Sequence, residues 1–292
     1  MDLLELRLLL AVAETGSVAA AAKETGYPRA TLRRRLNELE GRAGVPLLKR
    51  RTEGTALTPA GERLAAKAGS LIDQARALLR SAAEFAPAGL PPVRLAMTTG
   101  APPSLVVAGY AALRLQFPDL RLDVMSVNHP DELSAERVDV AIHLGEVSDR
   151  EAWATGTLLH LREMLVASPE YLEHRGRPTR VEDLATHDLL TWKHPDHPHD
   201  RWPLLEGGTF PVTPRLAHID NHLLMRLAAA GHGIALFPET DVDDPAAAAL
   251  EPVLPDVVGR VVKASYSVPR MLADTPRVKK VIETVQSFMA TV

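Results

Sequence analysis

The chain has 292 residues, 46% of them hydrophobic and 24% charged, with no cysteine and a formal net charge of −4. Such values fit a globular protein of two or three domains, and the lack of thiols excludes disulfides, thiolate metal centres and cysteine nucleophiles. No apolar run reaches the 18 residues that a membrane span needs, and the start MDLLELRLLL carries acids in place of a positive n-region, so a cytoplasmic protein with no membrane partner is expected.

Charge is unevenly spread. Residues 1–58 hold ten basic and seven acidic side chains, which leaves −7 on the remainder. A basic head on an acidic body points to a polyanionic partner for the head alone.

Leucines from Leu3 to Leu9 with Val12 predict a first helix, ended by Thr15-Gly16. Ser17 is placed to cap a short second helix, VAAAAKE, and Gly26 to end it in a left-handed turn. Pro28 suits the first turn of a third helix. On that helix Leu32, Leu36 and Leu39 share one face, while Ala30, Arg34 and Asn37 lie opposite with Arg29 and Arg33 on the flank. The leucines tie the helix to its domain and the arginines face outward, where a guanidinium can grip guanine O6 and N7 or clamp phosphate. Thr31 and Asn37 add possible polar contacts. The competing reading is a solvated basic face whose arginine stems cover apolar surface. VPLLKRRTEGTALT then reads as two strands, 45–51 and 55–58, turning at Gly54, so that Lys49, Arg50 and Arg51 form a basic wing.

The succession LRLLLAVAETGSVAAAAKETG, TLRRRLNELEGRAGVPLLKR and ALTPAGERL resembles the amino-terminal domain of LysR-type transcriptional regulators over roughly the first 65 residues. The family usually opens its recognition helix with serine-glutamine and has serine before the central arginine; Pro28, Arg29 and Arg33 stand there instead. Arg34 matches the recurrent arginine, and the resemblance implies its DNA role. The roles of Arg29 and Arg33 rest on charge and face.

Thr58 and Pro59 predict the start of a long helix with no breaker before Pro87. Leu64, Ala68, Leu71, Ala75, Leu78 and Ala82 follow steps of four and three along it, a seam that pairs two helices. The alternative is a helix packed on its own domain. A two-fold dimer reads two half-sites where a single head reads few base pairs, and the resemblance implies a homodimer or homotetramer.

After a proline-rich hinge at 86–92 the pattern alternates strands and helices. Strands are expected at 93–99, 120–127 and 138–144, with helices at 102–117 and 131–137, and this βαβαβ order implies a parallel sheet. A second unit follows from Glu163: strand MLVAS, helices PEYLEHR and VEDLATH, strands LLTWK, LAHID and IALFP, a helix from Asn221 capped by Asp220, and a last amphipathic helix with Val278, Val281, Ile282, Val285 and Phe288 on one face. VASPEYLEHRGRP, EDLATH and AAAGHGIALFPE resemble the effector domain of the same family, a two-lobed α/β fold akin to periplasmic binding proteins.

The expected architecture is multidomain. An all-α winged helix-turn-helix head spans 1–58, a linker helix and hinge 59–88, and an α/β effector domain 89–292. Lobe I of that domain covers 89–162 and 268–292, and lobe II covers 163–267. The resemblance implies an effector cleft between the lobes. Strand ends would line it: Thr98, Thr99, Gly100, Asn128, His129, His143, Asn221, His222, Phe237 and Pro238. His143 reads equally as a satisfied core histidine, and Asp220 as a helix cap.

All eleven histidines follow residue 128, and WKHPDHPHDRW gathers His194, His197 and His199 with Asp196 and Asp200. Zinc, nickel or copper is one reading of that cluster; a surface loop is the simpler one. No nucleophile elbow, P-loop or zincin motif is present, so no enzyme and no cofactor are expected. The expected function is a DNA-binding regulator answering to a small-molecule effector, with promoter DNA and RNA polymerase as partners. The alternatives are a metal-responsive regulator and a small-molecule-binding protein without a regulatory role.

Overall fold

Short polar caps and apolar periodicity set the first helices. In the computed structural model, which describes residues 2–51, 54–82, 91–194, 196–238 and 245–291, α1 runs Leu3–Thr15, α2 Val18–Thr25 and α3 Arg29–Ala43. Asp2 caps α1: its carboxylate accepts the Leu4 N–H at 3.1 Å, while Glu5 accepts the Asp2 N–H at 3.0 Å. Ser17 caps α2, and Gly16, Gly26 and Gly44 close the three helices in the left-handed region. Pro28 lies one place earlier than expected, at the N-cap of α3, with an extended ψ of 137°.

Leu32, Leu36 and Leu39 join Leu8, Leu9, Val12, Val18 and Ala21 in one core. The wing is shorter than expected, β1 Leu48–Arg51 paired antiparallel with β2 Gly54–Leu57. Gly54 is required here, since it has φ 142° and a Cβ would stand 2.5 Å from the Gly16 carbonyl oxygen. Helix α4, Pro59–Ser81, continues the unit. Ala68 and Ile72 pack on Leu6, with Leu10 and Leu64 against them. The first end of the expected seam is therefore turned onto its own domain. Leu71 and Leu78 remain 45% and 55% exposed. Residues 83–90, including most of the expected hinge and the 88/89 boundary, lie outside the described residues.

The chain divides into two compact units: residues 1–80 with 134–136, and residues 81–133 with 137–292. In the second, β3 (Val93–Thr98) pairs parallel with β4 (Leu122–Val127) and with β5 (Val140–Leu144), while α5 spans Pro103–Gln116. The helix expected at 131–137 is a single 3₁₀ turn, Pro130–Glu132, because Leu133 returns to extended backbone. VEDLATH is likewise a 3₁₀ segment, Val181–Thr186.

The sheet is mixed, not parallel. Two long strands, β6 (Trp153–Ala167) and β13 (Gly259–Pro269), run antiparallel to each other through its middle. On one side β13 pairs with β5; on the other β6 pairs antiparallel with β11 (Ile234–Pro238), followed by β7 (Leu189–Trp192) and β10 (Leu216–His218) in parallel. The strand expected at MLVAS is only the end of β6, and the expected lobe boundaries at 162/163 and 267/268 fall inside the continuous strands β6 and β13. Helices α6 (Pro169–Arg175), α7 (Asn221–Ala229) and α9 (Pro276–Met289) lie in this unit with the short α8 (Pro245–Ala248) and strand β12 (Glu251–Val253). The stretch read as a loop before Trp202 leads into a small ribbon, β8 (Arg201–Pro203) with β9 (Thr209–Pro211), whose Trp202 is buried. Glu163 on β6 is wholly buried and ion-paired with Arg260 of β13; burial still raises its pKa against that cation.

Candidate nucleic-acid interface and ligand cavity

The arginine cluster divides in two. Arg29, Arg33 and Arg34 are exposed, and with Ala30, Asn37 and Glu38 they line a shallow groove along α3. Arg34 bonds Glu38 one turn on, at 2.8 Å and largely in water, a pair too weak to withhold it from a phosphate or base. Arg35 points the other way, 3.9 Å from the buried Glu5. Arg42 also pairs with Glu5. Burial acts to raise the Glu5 pKa, but the Asp2 N–H and the Arg42 guanidinium outweigh it and hold the carboxyl low. Thr31 is half-buried and outside the groove. Lys49, Arg50 and Arg51 are exposed on β1, and the strand pleat puts Arg50 on the face opposite Lys49 and Arg51.

In the second unit a cavity of about 320 Å³ is bordered by Thr98, Gly100, His143, Asn221, Phe237 and Pro238, six of the ten expected strand-end residues. The other four do not reach it. The Thr99 hydroxyl bonds the Val127 carbonyl and Asn128, and His129 Nδ1 accepts the Asp131 N–H at 3.0 Å. His222 is buried within α7, where its Nε2 accepts from Arg226. Asp220 caps α7 through the His222 and Leu223 N–H groups, as expected.

His143 is wall, not ligand donor. Nδ1 donates to the Gly145 carbonyl at 3.1 Å and Nε2 accepts the Ser267 hydroxyl at 2.8 Å, while burial keeps the ring neutral. That pattern locks β5 to β13. Asn221, also buried, presents an Oδ1 with no hydrogen bond among the described residues. Gly100 faces it at φ 95°, and a Cβ there would stand 2.3 Å from that oxygen. The rest of the lining is mainly apolar: Met97, Leu105, Ile142, Leu144, Leu159, Leu161 and Met289, with His160 and Arg162. Residues 159–162 escaped sequence reading because β6 was not recognised as a strand there; the alternation of WATGTLLHLREM was the available signal.

The histidine cluster does not converge. His194 and His197 meet ring to ring at 4.6 Å, His199 is exposed, and among the described residues no three His, Asp or Glu side chains gather to hold a metal. No helix among the described residues is long and apolar enough to cross a membrane.

A winged helix-turn-helix, a long following helix and a mixed-sheet domain with an internal cavity together make up the architecture of a DNA-binding transcriptional regulator. Residues 3–62 match the model of the bacterial regulatory helix-turn-helix protein, lysR family, and residues 90–290 that of the LysR substrate binding domain. The chain belongs to the LysR family of transcriptional regulators. It is 27% identical to the HTH-type transcriptional activator TtdR of Escherichia coli K12, over 82% of this chain and 77% of that protein. A Xanthomonas campestris HTH-type transcriptional regulator is 30% identical over 80% of this chain and 70% of its own length. The fold matches the full-length structure of the Vibrio cholerae virulence activator AphB at a TM-score of 0.60 and 24% identity, covering 98% of this chain and 99% of that one.

Proposed function

We propose that this regulator, working in the cytoplasm, binds promoter DNA as a homodimer or a homotetramer and changes its grip on the duplex when a small effector enters the 320 Å³ cavity. The observation that carries the reading is one helix with three leucines buried in the head core and three arginines exposed on the other side. Arg29, Arg33, Arg34 and Asn37, with Ala30 and Thr31 beside them, would read the major groove. Lys49, Arg50 and Arg51 would meet the backbone.

Head, linker and effector domain are assigned to 1–58, 59–88 and 89–292. Pairing through the exposed part of α4, around Leu71 and Leu78, would present two heads to two half-sites. The mainly apolar cavity suits a compact ligand with one polar group, held by Asn221, the Thr98 hydroxyl and backbone around Gly100. Such a ligand acts only through its differential affinity for two arrangements of the lobes. Contact with RNA polymerase at the promoter completes the proposed action.

Footprinting of the upstream region of neighbouring genes, with and without candidate metabolites, tests this reading. Protection of two half-sites about one helical turn apart is expected; no protection of any duplex at low ionic strength overturns it.

A further inference from the structure

The groove along α3 holds a single acid, Glu38, among Arg29, Ala30, Arg33, Arg34 and Asn37. A carboxylate on a face that meets phosphates lowers affinity, because like charges repel at short range. Its contacts supply a reason for it to stand there. Glu38 Oε1 accepts from Arg34 Nη1 at 2.8 Å, and Oε2 lies 3.8 Å from Arg35 Nη1. Arg35 in turn stands 3.9 Å from Glu5, which is buried in the head. A charge relay of Glu5, Arg35, Glu38 and Arg34 therefore runs from the inside of the head to the outward groove.

The geometry at Arg34 is informative. A guanidinium grips guanine with two parallel N–H donors, and its side-on fork is made by Nε and Nη2. Glu38 takes Nη1, the nitrogen outside that fork, and Arg34 makes no other hydrogen bond among the described residues. The two side chains are one turn apart on the same helix, so α3 brings them together before any duplex arrives. In water the pair is weak. A duplex seated in the groove displaces that water, and the attraction between the two groups grows as the local dielectric falls. Arg29 and Arg33 pair with no acid among the described residues. Reading a base with either of them costs the full ordering of a long side chain, which Arg34 has largely been spared.

We propose that Glu38 is a positioning residue for sequence reading: it holds the Arg34 guanidinium with its Nε–Nη2 edge toward guanine O6 and N7, so that one G·C pair in each half-site is discriminated most sharply. The proposal rests on the DNA-reading assignment made above and adds to it a side chain that acts through Arg34 and touches no base. Its consequence runs against simple charge counting. Removing the acid makes the face more basic and strengthens its hold on any duplex. The same removal weakens the choice between duplexes, because the fork of Arg34 is no longer aimed.

The test uses the full chain and the duplex that wild type selects from a randomised pool, with each base pair of a half-site replaced in turn. Fluorescence anisotropy at fixed ionic strength gives the penalty for each replacement, and an unrelated duplex reports non-specific binding. Arg34→Ala marks the relevant pair, the one whose penalty disappears; in wild type that penalty should be about tenfold or more. Glu38→Met, which removes both charge and acceptor and keeps a good helix former, should shrink this penalty by about threefold or more. It should leave the other penalties within about twofold and bind the unrelated duplex at least as tightly as wild type does. Glu38→Gln, which keeps an acceptor oxygen, should fall between the two. Arg34→Ala combined with Glu38→Met should flatten the marked pair no further than Arg34→Ala alone. Four results overturn the proposal: an Arg34→Ala chain that flattens no pair, an unchanged penalty at the marked pair in Glu38→Met, flattening at a different pair, which makes Glu38 a base reader itself, or an equal loss on every duplex, which makes it a support of the head. A wild type that selects no duplex overturns the DNA-reading assignment itself, and this proposal with it.

Discussion

Arg34 and Arg35 are neighbours with opposite tasks. Helical geometry rotates them by about 100°, which leaves Arg34 in the outward groove and brings Arg35 within reach of Glu5. Arg34→Ala is expected to weaken operator binding by about 1–3 kcal/mol if the side chain makes a bidentate base contact. Fluorescence anisotropy on a labelled operator measures it, and an unchanged Kd with the dimer intact removes Arg34 from the reading set. Arg260→Met should be costly for another reason. It strands the buried Glu163 carboxylate between β6 and β13, a loss of about 3–5 kcal/mol for a broken buried pair. Denaturant melts of the variant check this, and a midpoint close to wild type would mean that Glu163 takes up a proton at no cost. Arg34 was legible in the sequence because its face and charge are local properties. The Glu163–Arg260 pair was not, because its partners are 97 residues apart.

Helix α4 shows how one periodic pattern serves two surfaces. A heptad stripe of leucine and alanine says that a face is buried but not against what. Leu64 and Ala68 meet Leu6 and Leu10 of the same chain, while Leu71 and Leu78 face outward. Leu71→Asp is expected to halve the mass seen by light scattering without unfolding the head, since the residue lies outside the head core; an unchanged mass would exclude this stretch of α4 from the dimer contact. Ala68→Asp should instead unfold the head, because it buries a charge beside Ile72. Circular dichroism separates the two outcomes. The strands β6 and β13 teach a similar lesson. Each alternates over part of its length, but the register shifts where Ala264 and Ser265 meet β6 and the last residues of both strands are buried on both faces, so no single-face pattern runs the whole strand.

For the molecule as a whole, pH is a telling variable. His143, His187, His194 and His197 all have pKa values lowered first by burial, and that of His194 falls to about 3. A histidine with a depressed folded value stabilises the fold above its unfolded pKa of about 6.5, and that stability is lost as pH falls below it, because the unfolded chain takes up protons the folded one refuses. Glu163 acts in the opposite sense, its raised pKa favouring the fold as pH drops. Comparing His194→Phe with wild type isolates the histidine. Between pH 6.5 and 5 the wild type should lose about 2 kcal/mol more than the variant. Calorimetric melts across that window decide it, and parallel Tm curves for the two proteins would mean that His194 is protonated in the fold. DNA binding offers a second global measurement: Lys49→Ala should weaken all sequences alike and reduce the salt slope by about 1 per head, whereas a sequence-selective loss would make Lys49 a base reader.

Local chemistry was enough to specify much of this protein. Caps at Ser17 and Asp220, the left-handed glycine at 26, and leucines at 32, 36 and 39 are each decided within a turn or two of the chain, so the regulator head and the approximate strand ends of the sensor could be read directly. Long-range pairing settled the rest. Which arginine turns inward, which end of α4 is covered, whether the sheet is parallel, and which tautomer His143 adopts all depend on partners brought together only by folding. Desolvation and hydrogen-bond satisfaction act on those neighbours in space, and the order of residues along the chain does not encode them one at a time.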